Sequence, residues 1–351
     1  MGVQLGDLAV KHTITVDSLS GRIVAIDAFN TLYQFLASIR QEDGTPLMDS
    51  HGHVTAHLSG LFYRTARLME NGILPVYVFD GKPPRFKKKT QIARAEIKKT
   101  AEEKWKTALE EGRTEDAKKY AQATSRLTPE MVEESKVLLE LMGLPHVQAP
   151  GEGEAQAAEM VRCGAAYASA SQDYDSLLFG SPILVRNLSI TGRRKVPRQD
   201  RYVLVEPEEI RLDETLRSLN LTREQLVMLG LLVGTDFNEG VKGVGPKTAL
   251  KIVSGIKTLE DLKKFVHAKY GNIIGLGDEG EGETEEIFDV FMKPNTADVP
   301  ELKFNKMDGE GLMKMLCSGH DFSEERVQRV INEVERIQKE KGGQKKLGDW
   351  F

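Results

Sequence analysis

Three short strand-like runs of this chain each end at an aspartate. They are Arg22–Asp27, Leu74–Asp80 and Tyr167–Asp173. The segment between the first two, Thr31–Met69, carries apolar residues at helical spacing. Strands that alternate with helices predict an α/β fold with a mainly parallel central sheet. Because sites in such sheets lie beyond the carboxyl ends of the strands, we expect the three aspartates along one edge.

The stretch from Ala149 to Gly180 holds two pairs of carboxylates, Glu152 with Glu154 and Asp173 with Asp175. In an extended or turning segment, residues two apart point the same way, so each pair can aim at one point. Solvated acidic turns would explain either pair alone, and a single strand-terminal aspartate is usually a turn former. All these acids together would repel one another without a cation, and Mg²⁺ prefers oxygen ligands of this kind. The pattern therefore predicts a shared divalent-cation site.

The segment from Arg85 to Arg126 is rich in Lys, Arg, Glu and Ala, and it is interrupted at Gly112. It predicts two charged helices with little to bury, which should be mobile or project from the body. A solvated helical hairpin would explain the charges, and a cationic gate for a phosphate backbone is the functional alternative. A charge run is usually such a hairpin, and the gate gains support because the segment starts right after Asp80. The basic residues at its start are Lys87, Lys88, Lys89, Arg94, Lys98 and Lys99.

Further elements are predicted on both sides of the acidic stretch. Thr128 and Pro129 are typical of a helix N-cap and first helical residue. Ile183–Arg186 and Arg201–Val205 are strand candidates, and Thr191–Lys195 between them is interpreted as a basic hairpin loop.

An apolar helix predicted over Leu226–Asp236 is followed by a glycine-rich string with Gly243, Gly245 and Lys247. Glycines of this kind allow a tight turn and expose N–H groups at a helix N-terminus, where a phosphate or a monovalent cation can bind. The string resembles a helix-hairpin-helix, which binds DNA backbone without reading sequence. A plain turn between two helices is the alternative.

Bulk properties exclude several classes of protein. The chain has 351 residues and a formal net charge of −5, so nucleic-acid binding must depend on local clusters. It has no apolar run that could span a membrane, and its N-terminus has no signal-peptide pattern. Cys163 and Cys317 lack metal-ligand spacing and indicate small buried residues or a reducing compartment. Gly275–Glu286 is acidic but lacks EF-hand spacing, so we expect a solvated loop.

The tail beyond Lys339 departs from the globular pattern at Gly342 and Gly343. Its apolar side chains fall on one side of a single helical turn and have no core of their own to bury them. The tail therefore either folds back on the body or binds a pocket of a partner, and its spacing favours the partner.

These motifs resemble those of the structure-specific 5′ nucleases of the flap endonuclease family, of the XPG type, over essentially the whole chain. The matching segments are Ile26–Ala28, Val78–Pro84, Ala149–Ala155, Ser171–Asp175 and Gly234–Asp236. The resemblance implies a PIN-like nuclease fold with a helical arch and a helix-hairpin-helix. It also implies two Mg²⁺ ions per site, with Mn²⁺ as a substitute, held by Asp27, Asp80, Glu152, Glu154, Asp173, Asp175 and Asp236.

The resemblance assigns roles to other residues as well. Lys87 and Arg94 would contact the scissile phosphate, and the helix-hairpin-helix would bind K⁺. Gly2, exposed by removal of Met1, and Tyr33, stacked near the junction, would contact DNA. Further DNA contacts are implied for Arg40, Arg64, Lys88, Gly243, Gly245 and Lys247. The tail matches the box that binds the sliding clamp PCNA, with Gln344, Leu347, Trp350 and Phe351 as anchors.

The implied function is hydrolysis of DNA by a two-metal mechanism at 5′ flaps, with 5′-3′ exonuclease action and 5′-phosphate products. The implied setting is Okazaki fragment maturation and base excision repair. The implied partners are branched DNA with a 5′ flap and PCNA, for a monomeric core with no membrane association. Eukaryotic relatives carry a basic extension after the clamp box, so the end at Phe351 looks archaeal. That implies a cytoplasmic protein, or a nuclear one if the chain were eukaryotic.

The predicted organisation is a single nuclease core over residues 1–338 and a flexible tail over 339–351. Within the core we expect an N-terminal α/β part, the charged arch, an internal α/β part, the helix-hairpin-helix and a helical C-terminal part. Their predicted ranges are 1–84, 85–126, 127–236, 237–256 and 257–338.

Other functions fit only part of this sequence. A non-catalytic DNA-binding scaffold that recruits a clamp would not need seven converging acids. A metal-dependent phosphatase acting on small molecules would not need the helix-hairpin-helix or the tail. Within the nucleases, a 5′ exonuclease or a repair incision enzyme is possible, but the short chain and terminal clamp box favour the flap enzyme.

Overall fold

The computed structural model describes residues 2–41, 43–190, 192–195, 201–271 and 282–348. The strands in these ranges are β1 Lys11–Thr13, β2 Ile23–Asp27, β3 Leu74–Phe79, β4 His146–Gln148, β5 Ala168–Ala170, β6 Ile183–Arg186, β7 Gly192–Lys195, β8 Tyr202–Val205 and β9 Glu208–Arg211. The helices of the first half are α1 Ala28–Ser38, α2 Ala56–Glu70, α3 Lys87–Glu110, α4 Thr114–Gln122, α5 Pro129–Leu141, α6 Gly153–Arg162 and α7 Asp175–Leu178. Those of the second half are α8 Leu212–Leu219, α9 Arg223–Val233, α10 Pro246–Val253, α11 Leu259–Tyr270, α12 Glu283–Met292, α13 Gly309–Leu312 and α14 Glu324–Gly348.

The main sheet has the strand order β1-β9-β6-β5-β2-β3-β4. Strands β4, β3, β2, β5 and β6 are mutually parallel, whereas β9 and β1 add an antiparallel edge beside β6. From β2 the chain moves to β3 and β4 on one side, and through α6 it returns to β5 on the other side. Connections that leave neighbouring strands in opposite directions open a crevice at the carboxyl ends of β2 and β5. The predicted mainly parallel α/β fold is confirmed.

Both faces of the sheet are covered, because alternate residues of its central strands enter different cores. Ile26 joins a core with Phe62 of α2 and Leu138 of α5, while its neighbour Ala25 joins a core with Met160 of α6. Side chains alternate between faces along a strand, so a strand buried on both sides must be apolar almost throughout. This explains why β2 and β3 are continuous apolar runs that become polar only where they end.

The charged segment after β3 forms the pair of helices that the sequence predicted. Helices α3 and α4 are joined around Gly112, whose φ of +70° suits glycine. Below, the arch means residues 85–126. Small residues such as Ala117 are buried in this pair, and the Nε1–H of Trp105 donates to the carbonyl of Asp43 at 3.3 Å. The C-terminal part of α3 therefore rests on the loop that follows α1.

The predicted helix start at Thr128 is confirmed, since its hydroxyl accepts from the Met131 N–H at 3.3 Å. The predicted hairpin loop at Thr191–Lys195 is wrong, because Gly192–Lys195 pairs with β8 as strand β7. The expectation that Cys163 is a buried core residue is also wrong, because Cys163 is exposed and Cys317 is half-buried.

The structure contains three strands and one helix boundary that the sequence did not predict. The strands β1, β4 and β9 were not predicted, because runs of three or four residues carry little periodicity. Helix α14 continues through Lys339, where a tail was predicted to begin, to Gly348. Among the described residues, no helix combines the length and apolar character needed to cross a membrane.

Candidate active site

A single open cavity of about 850 Å³ lies at the carboxyl ends of the central strands. All seven acids predicted to bind metal line it, and we call it the acid cavity. They are Asp27, Asp80, Glu152, Glu154, Asp173, Asp175 and Asp236. Lys87, Ala95 and Lys98 of α3 line it too, so the arch forms one wall.

Asp80 and Glu152 are held side by side by close contact between two backbone segments. The Gly81 N–H donates to the Gly151 carbonyl at 2.7 Å, and the Gly153 N–H donates to Asp80 Oδ1 at 2.8 Å. A Cβ at position 81 would lie 2.1 Å from the Ala149 carbonyl oxygen, so only glycine fits there. The end of β3 is thus fixed against the start of α6.

Asn30 connects Asp27 to Asp173 across the crevice between β2 and β5. Asp27 caps α1 by accepting from the Asn30 N–H at 3.0 Å, and the Asn30 amide donates to Asp173 Oδ2 at 2.7 Å. Sequence reasoning missed Asn30. The sequence signal for Asn30 is its position, three residues after the strand-terminal Asp27. At that position the backbone N–H can bond the capping aspartate while the side chain faces the ends of the strands.

The N-terminus lies against the acids contributed by the segment after β5. The Gly2 N–H donates to Asp173 Oδ1 at 3.2 Å, and the Val3 N–H donates to Asp175 Oδ1 at 2.6 Å. A Cβ at Gly2 would lie 2.6 Å from the Asp173 Cβ, so the approach leaves no room for a side chain. The structure therefore brings Gly2 to the acid cavity, as expected.

Lys87 forms an ion pair with one of these acids, Glu152. Its Nζ donates to Glu152 Oε2 at 2.5 Å, and the lysine is largely buried. Burial alone would lower the pKa of Lys87, but the nearby carboxylates of Glu152 and Asp80 outweigh burial and raise that pKa. Lys87 therefore remains charged within the acid cavity.

Burial works in the opposite direction on the acids. It raises the pKa of Asp27 and of Glu154 well above the usual range, and neighbouring carboxylates raise both further. It also raises the pKa of Asp175 to about 7. These groups are costly to ionise where they lie unless a cation approaches them.

The donor set fits divalent cations such as Mg²⁺, because the lining has seven carboxylates and fewer basic side chains, namely Lys87, Lys98 and Arg126. Within the described ranges, no three Asp, Glu, His or Cys side chains are already arranged around one point as a metal-binding set. The carboxylates of the acid cavity are bonded instead to Lys87, Asn30 and backbone N–H groups. Ion binding would require some of them to exchange these partners.

The other predicted DNA contacts lie at different places. Tyr33 lines the acid cavity and is 38% exposed, with Lys98 Nζ 5.0 Å from its ring centre. Arg40 faces the base of the arch, donating to Ser125 Oγ at 2.9 Å, and Arg64 lines a separate small cavity beneath α1. Burial lowers the pKa of both arginines.

The glycine-rich string forms an exposed turn into α10. Gly243 has φ +84°, Gly245 is the N-cap, and Lys247 is exposed in the first turn. Several other predicted side chains lie outside the described residues. They are those of Lys88, Arg94, Gln344, Leu347, Trp350 and Phe351.

Three family models match this chain. The XPG N-terminal domain matches residues 1–101, the XPG I-region matches residues 143–236, and a SAM-like helix-hairpin-helix tandem matches residues 239–279. The first two models together cover all seven acids of the cavity, since the second model extends to Asp236.

Full-length relatives agree with these matches. The chain is 53% identical to flap endonuclease 1 of Thermococcus onnurineus, over 100% of this chain and 99% of the relative. It superposes on flap endonuclease-1 of Methanococcus jannaschii with a TM-score of 0.73 and 39% identity, covering 97% and 100% of the two chains. It shares its fold with the catalytic core of Rad2 in complex with DNA substrate, with a TM-score of 0.70, 22% identity and coverages of 95% and 100%.

The fold, the acid cavity and the family models define an XPG-type nuclease, and hence a hydrolase. More particularly, the chain belongs to the flap endonuclease family, as its sequence predicted.

Proposed function

We propose that this protein is a structure-specific 5′-flap endonuclease with 5′-3′ exonuclease activity on branched DNA. The observation that carries this proposal is the convergence of seven acids and Lys87 in one cavity that the arch borders. A scaffold without catalysis has no use for buried acids that repel one another, and a small-molecule phosphatase has no use for a helix-hairpin-helix.

The seven acids of the cavity would hold two divalent ions, Mg²⁺ or in its place Mn²⁺. When bound, such ions stabilise charge on a phosphoryl group and make water a stronger nucleophile. The chain's own part is to present oxygen ligands in fixed positions. Gly81 and Asn30 do so by fixing Asp80, Asp27 and Asp173 through the backbone and amide contacts described above.

Lys87 would bind the scissile phosphate by exchanging its bond to Glu152 for one to a phosphoryl oxygen. A buried, charged amine offsets negative charge that develops there, and Arg94 would act with it from the same helix. Tyr33, half-exposed in the cavity wall, would stack on a base near the junction.

Selection of the substrate would come from regions outside the acids. The arch would admit a single strand with a free 5′ end, since it closes one side of the cavity. The turn at Gly243 and Gly245 would bind the phosphate backbone of the duplex, with K⁺ at the same turn and Lys247 beside it. Gly2, Arg40, Arg64 and Lys88 would add contacts to DNA.

The tail would bind PCNA through Gln344, Leu347, Trp350 and Phe351, and so recruit a monomeric core to replication and repair sites. We place the protein in Okazaki fragment maturation and base excision repair, in the cytoplasm. Deleting residues 344–351 should leave basal cleavage intact and abolish stimulation by the clamp. Unchanged stimulation would refute this role of the tail.

The test is cleavage of a defined 5′ flap, a blunt duplex and a bubble, each with and without Mg²⁺. We expect the flap to be cut fastest, only with the ion, leaving a 5′ phosphate. Asp173→Ala should still bind the flap but not cut it. Cleavage by that variant at the wild-type rate, or equal cutting of all three substrates, would contradict the proposal.

A further inference from the structure

Arg186, the last residue of β6, lies behind the acids rather than among them. Strand β6 is parallel to β5, whose continuation carries Asp173 and Asp175. The side chain of Arg186 is 19% exposed and forms an ion pair with Glu208 of β9, with 3.2 Å between Nη1 and Oε2. A guanidinium fixed in this way can hold its neighbours in place.

The contacts of Arg186 are made with the residues around Asp173. Its Nε–H donates to the Gln172 carbonyl at 3.1 Å, and its Nη1 donates to the Tyr174 hydroxyl at 2.6 Å. The guanidinium carbon also lies 4.2 Å from the centre of the Tyr174 ring. One side chain thus holds the residue before Asp173 and the residue between Asp173 and Asp175.

Tyr174 also packs against the N-terminal segment, sharing a core with Val3 and Leu5. It is 7% exposed, a Cβ at Gly6 would lie 3.3 Å from its hydroxyl, and Lys11 Nζ is 5.9 Å from its ring centre. The same segment donates the Gly2 and Val3 N–H groups to the two acids. Movement of Tyr174 would therefore disturb both carboxylates and the N-terminal contacts that orient them.

We propose that Arg186 is a positioning residue, which fixes the Gln172–Tyr174 turn so that Asp173 and Asp175 present their oxygens to bound divalent ions. The role needs a planar group that bonds in two directions while it stacks on a ring, and lysine offers only a point charge. Residues that orient the ligands of a metal typically change its affinity 10- to 100-fold when they are removed. This inference rests on the proposed function, because it concerns ions that the acid cavity would hold.

The test compares Arg186→Ala with wild type in two assays. Mg²⁺ binding to the DNA-free protein is measured by calorimetry, and kcat and KM for a 5′ flap are measured over a Mg²⁺ titration. We expect about tenfold weaker Mg²⁺ binding and a lower kcat at fixed Mg²⁺, with KM for the flap little changed. Arg186→Lys should recover part of the affinity, and Tyr174→Phe should weaken it less, since the stacked ring remains.

Arg217→Ala is the matched control, because Arg217 is 72% exposed on α8 and pairs only locally with Asp213. Circular dichroism establishes that each variant is folded, and Arg186→Lys serves if the alanine variant is not. Wild-type Mg²⁺ affinity in a folded Arg186→Ala, or a rise in KM alone, would overturn the inference. Failure of the wild type to cut flaps with Mg²⁺ would instead overturn the proposed function.

Discussion

Glu152 faces a lysine, whereas Glu154, two residues later in the chain, faces other carboxylates. Burial raises the pKa of both Glu152 and Asp80, and Lys87, bonded to Glu152 at 2.5 Å, opposes that rise. Around Glu154 the neighbouring charges are Asp175, Asp27 and Asp173, all of the same sign. We call Asp80, Glu152 and Lys87 the lysine group, and Glu154, Asp173 and Asp175 the carboxylate group.

The difference between the groups shows which carboxylates need a positive charge from outside the protein. In the lysine group, the protein supplies a cation from the first residue of α3. In the carboxylate group, neutral donors such as the Ser176 hydroxyl, 3.3 Å from Glu154 Oε1, take that place. Neutral donors offset less of the charge, so this group should depend more strongly on protons or divalent ions. Four predictions test this contrast.

The largest expected effect follows removal of the lysine. Lys87→Ala should reduce the single-turnover rate of flap cleavage at saturating Mg²⁺ by about 10²–10³-fold, because a preorganised positive charge at the reacting phosphate is lost. Lys303→Ala, an exposed lysine paired with Glu301, is the control. A rate within threefold of wild type would show that the lysine group has no catalytic share.

The next effect concerns pH and the carboxylate group. Burial raises the pKa of Asp175 to about 7, whereas the unfolded chain should ionise near the ordinary aspartate value of about 4. Between these values the folded state keeps a proton that the unfolded state has lost. The contribution of Asp175 to the free energy of unfolding therefore falls as pH rises from about 4 to 7, and it is constant above and below that window.

Asp175→Asn removes this titration while keeping an oxygen that can accept from Val3. In EDTA, we expect the variant to gain roughly 4 kcal/mol relative to wild type at pH 8 and almost nothing at pH 4, as measured by urea unfolding. Asp213→Asn, on the exposed face of α8, is the control. An equal gain at both pH values would refute the raised pKa.

A smaller effect separates the two glutamates directly. Without metal at pH 7.5, Glu154→Gln should stabilise the fold by about 1 kcal/mol, since glutamine avoids the cost of either ionising or protonating this buried acid beside other carboxylates. Glu152→Gln should destabilise it by about 1 kcal/mol, because Lys87 loses its bonded partner. Urea unfolding in EDTA measures both changes. Shifts of the same sign would mean that the two groups do not differ.

The smallest effect is at the link between the strands. Asn30→Ala removes a donor from Asp173, and the loss of about 1 kcal/mol should weaken Mg²⁺ binding about fivefold. Calorimetry on the DNA-free protein measures it. Asn71→Ala, whose amide bonds only the Arg67 carbonyl near the end of α2, should leave Mg²⁺ affinity unaltered. Equal Mg²⁺ affinities for the two variants would show that Asn30 does not contribute to metal binding.

Much of this arrangement follows from local sequence. Asp27 and Asp80 could be placed at one edge because their strands are long and apolar, and because parallel strands end on the same side. Glu152 and Glu154 required family motifs, since nothing local shows that the start of α6 reaches the end of β3.

The remainder depends on contacts between distant parts of the chain. Asn30 and Asp173 are 143 positions apart, and Gly2 and Asp173 are 171 positions apart. Hydrophobic periodicity in the sequence does not indicate contacts between residues so far apart. For Arg186, the sequence shows only a basic residue at the end of a strand, and its role depends on the Tyr174 ring that it meets in the folded protein.

The crossover between β2 and β5 has a consequence for the order of folding. The long connection between β2 and β5 separates Asp27 from Asp173 in the chain, so the repulsion of Asp27 by Asp173 and Glu154 arises only when the sheet closes. A late penalty of this kind acts on the native state more than on the folding barrier. Divalent ions should accordingly slow unfolding while refolding proceeds at its metal-free rate, and stopped-flow kinetics with and without Mg²⁺ can reveal this asymmetry.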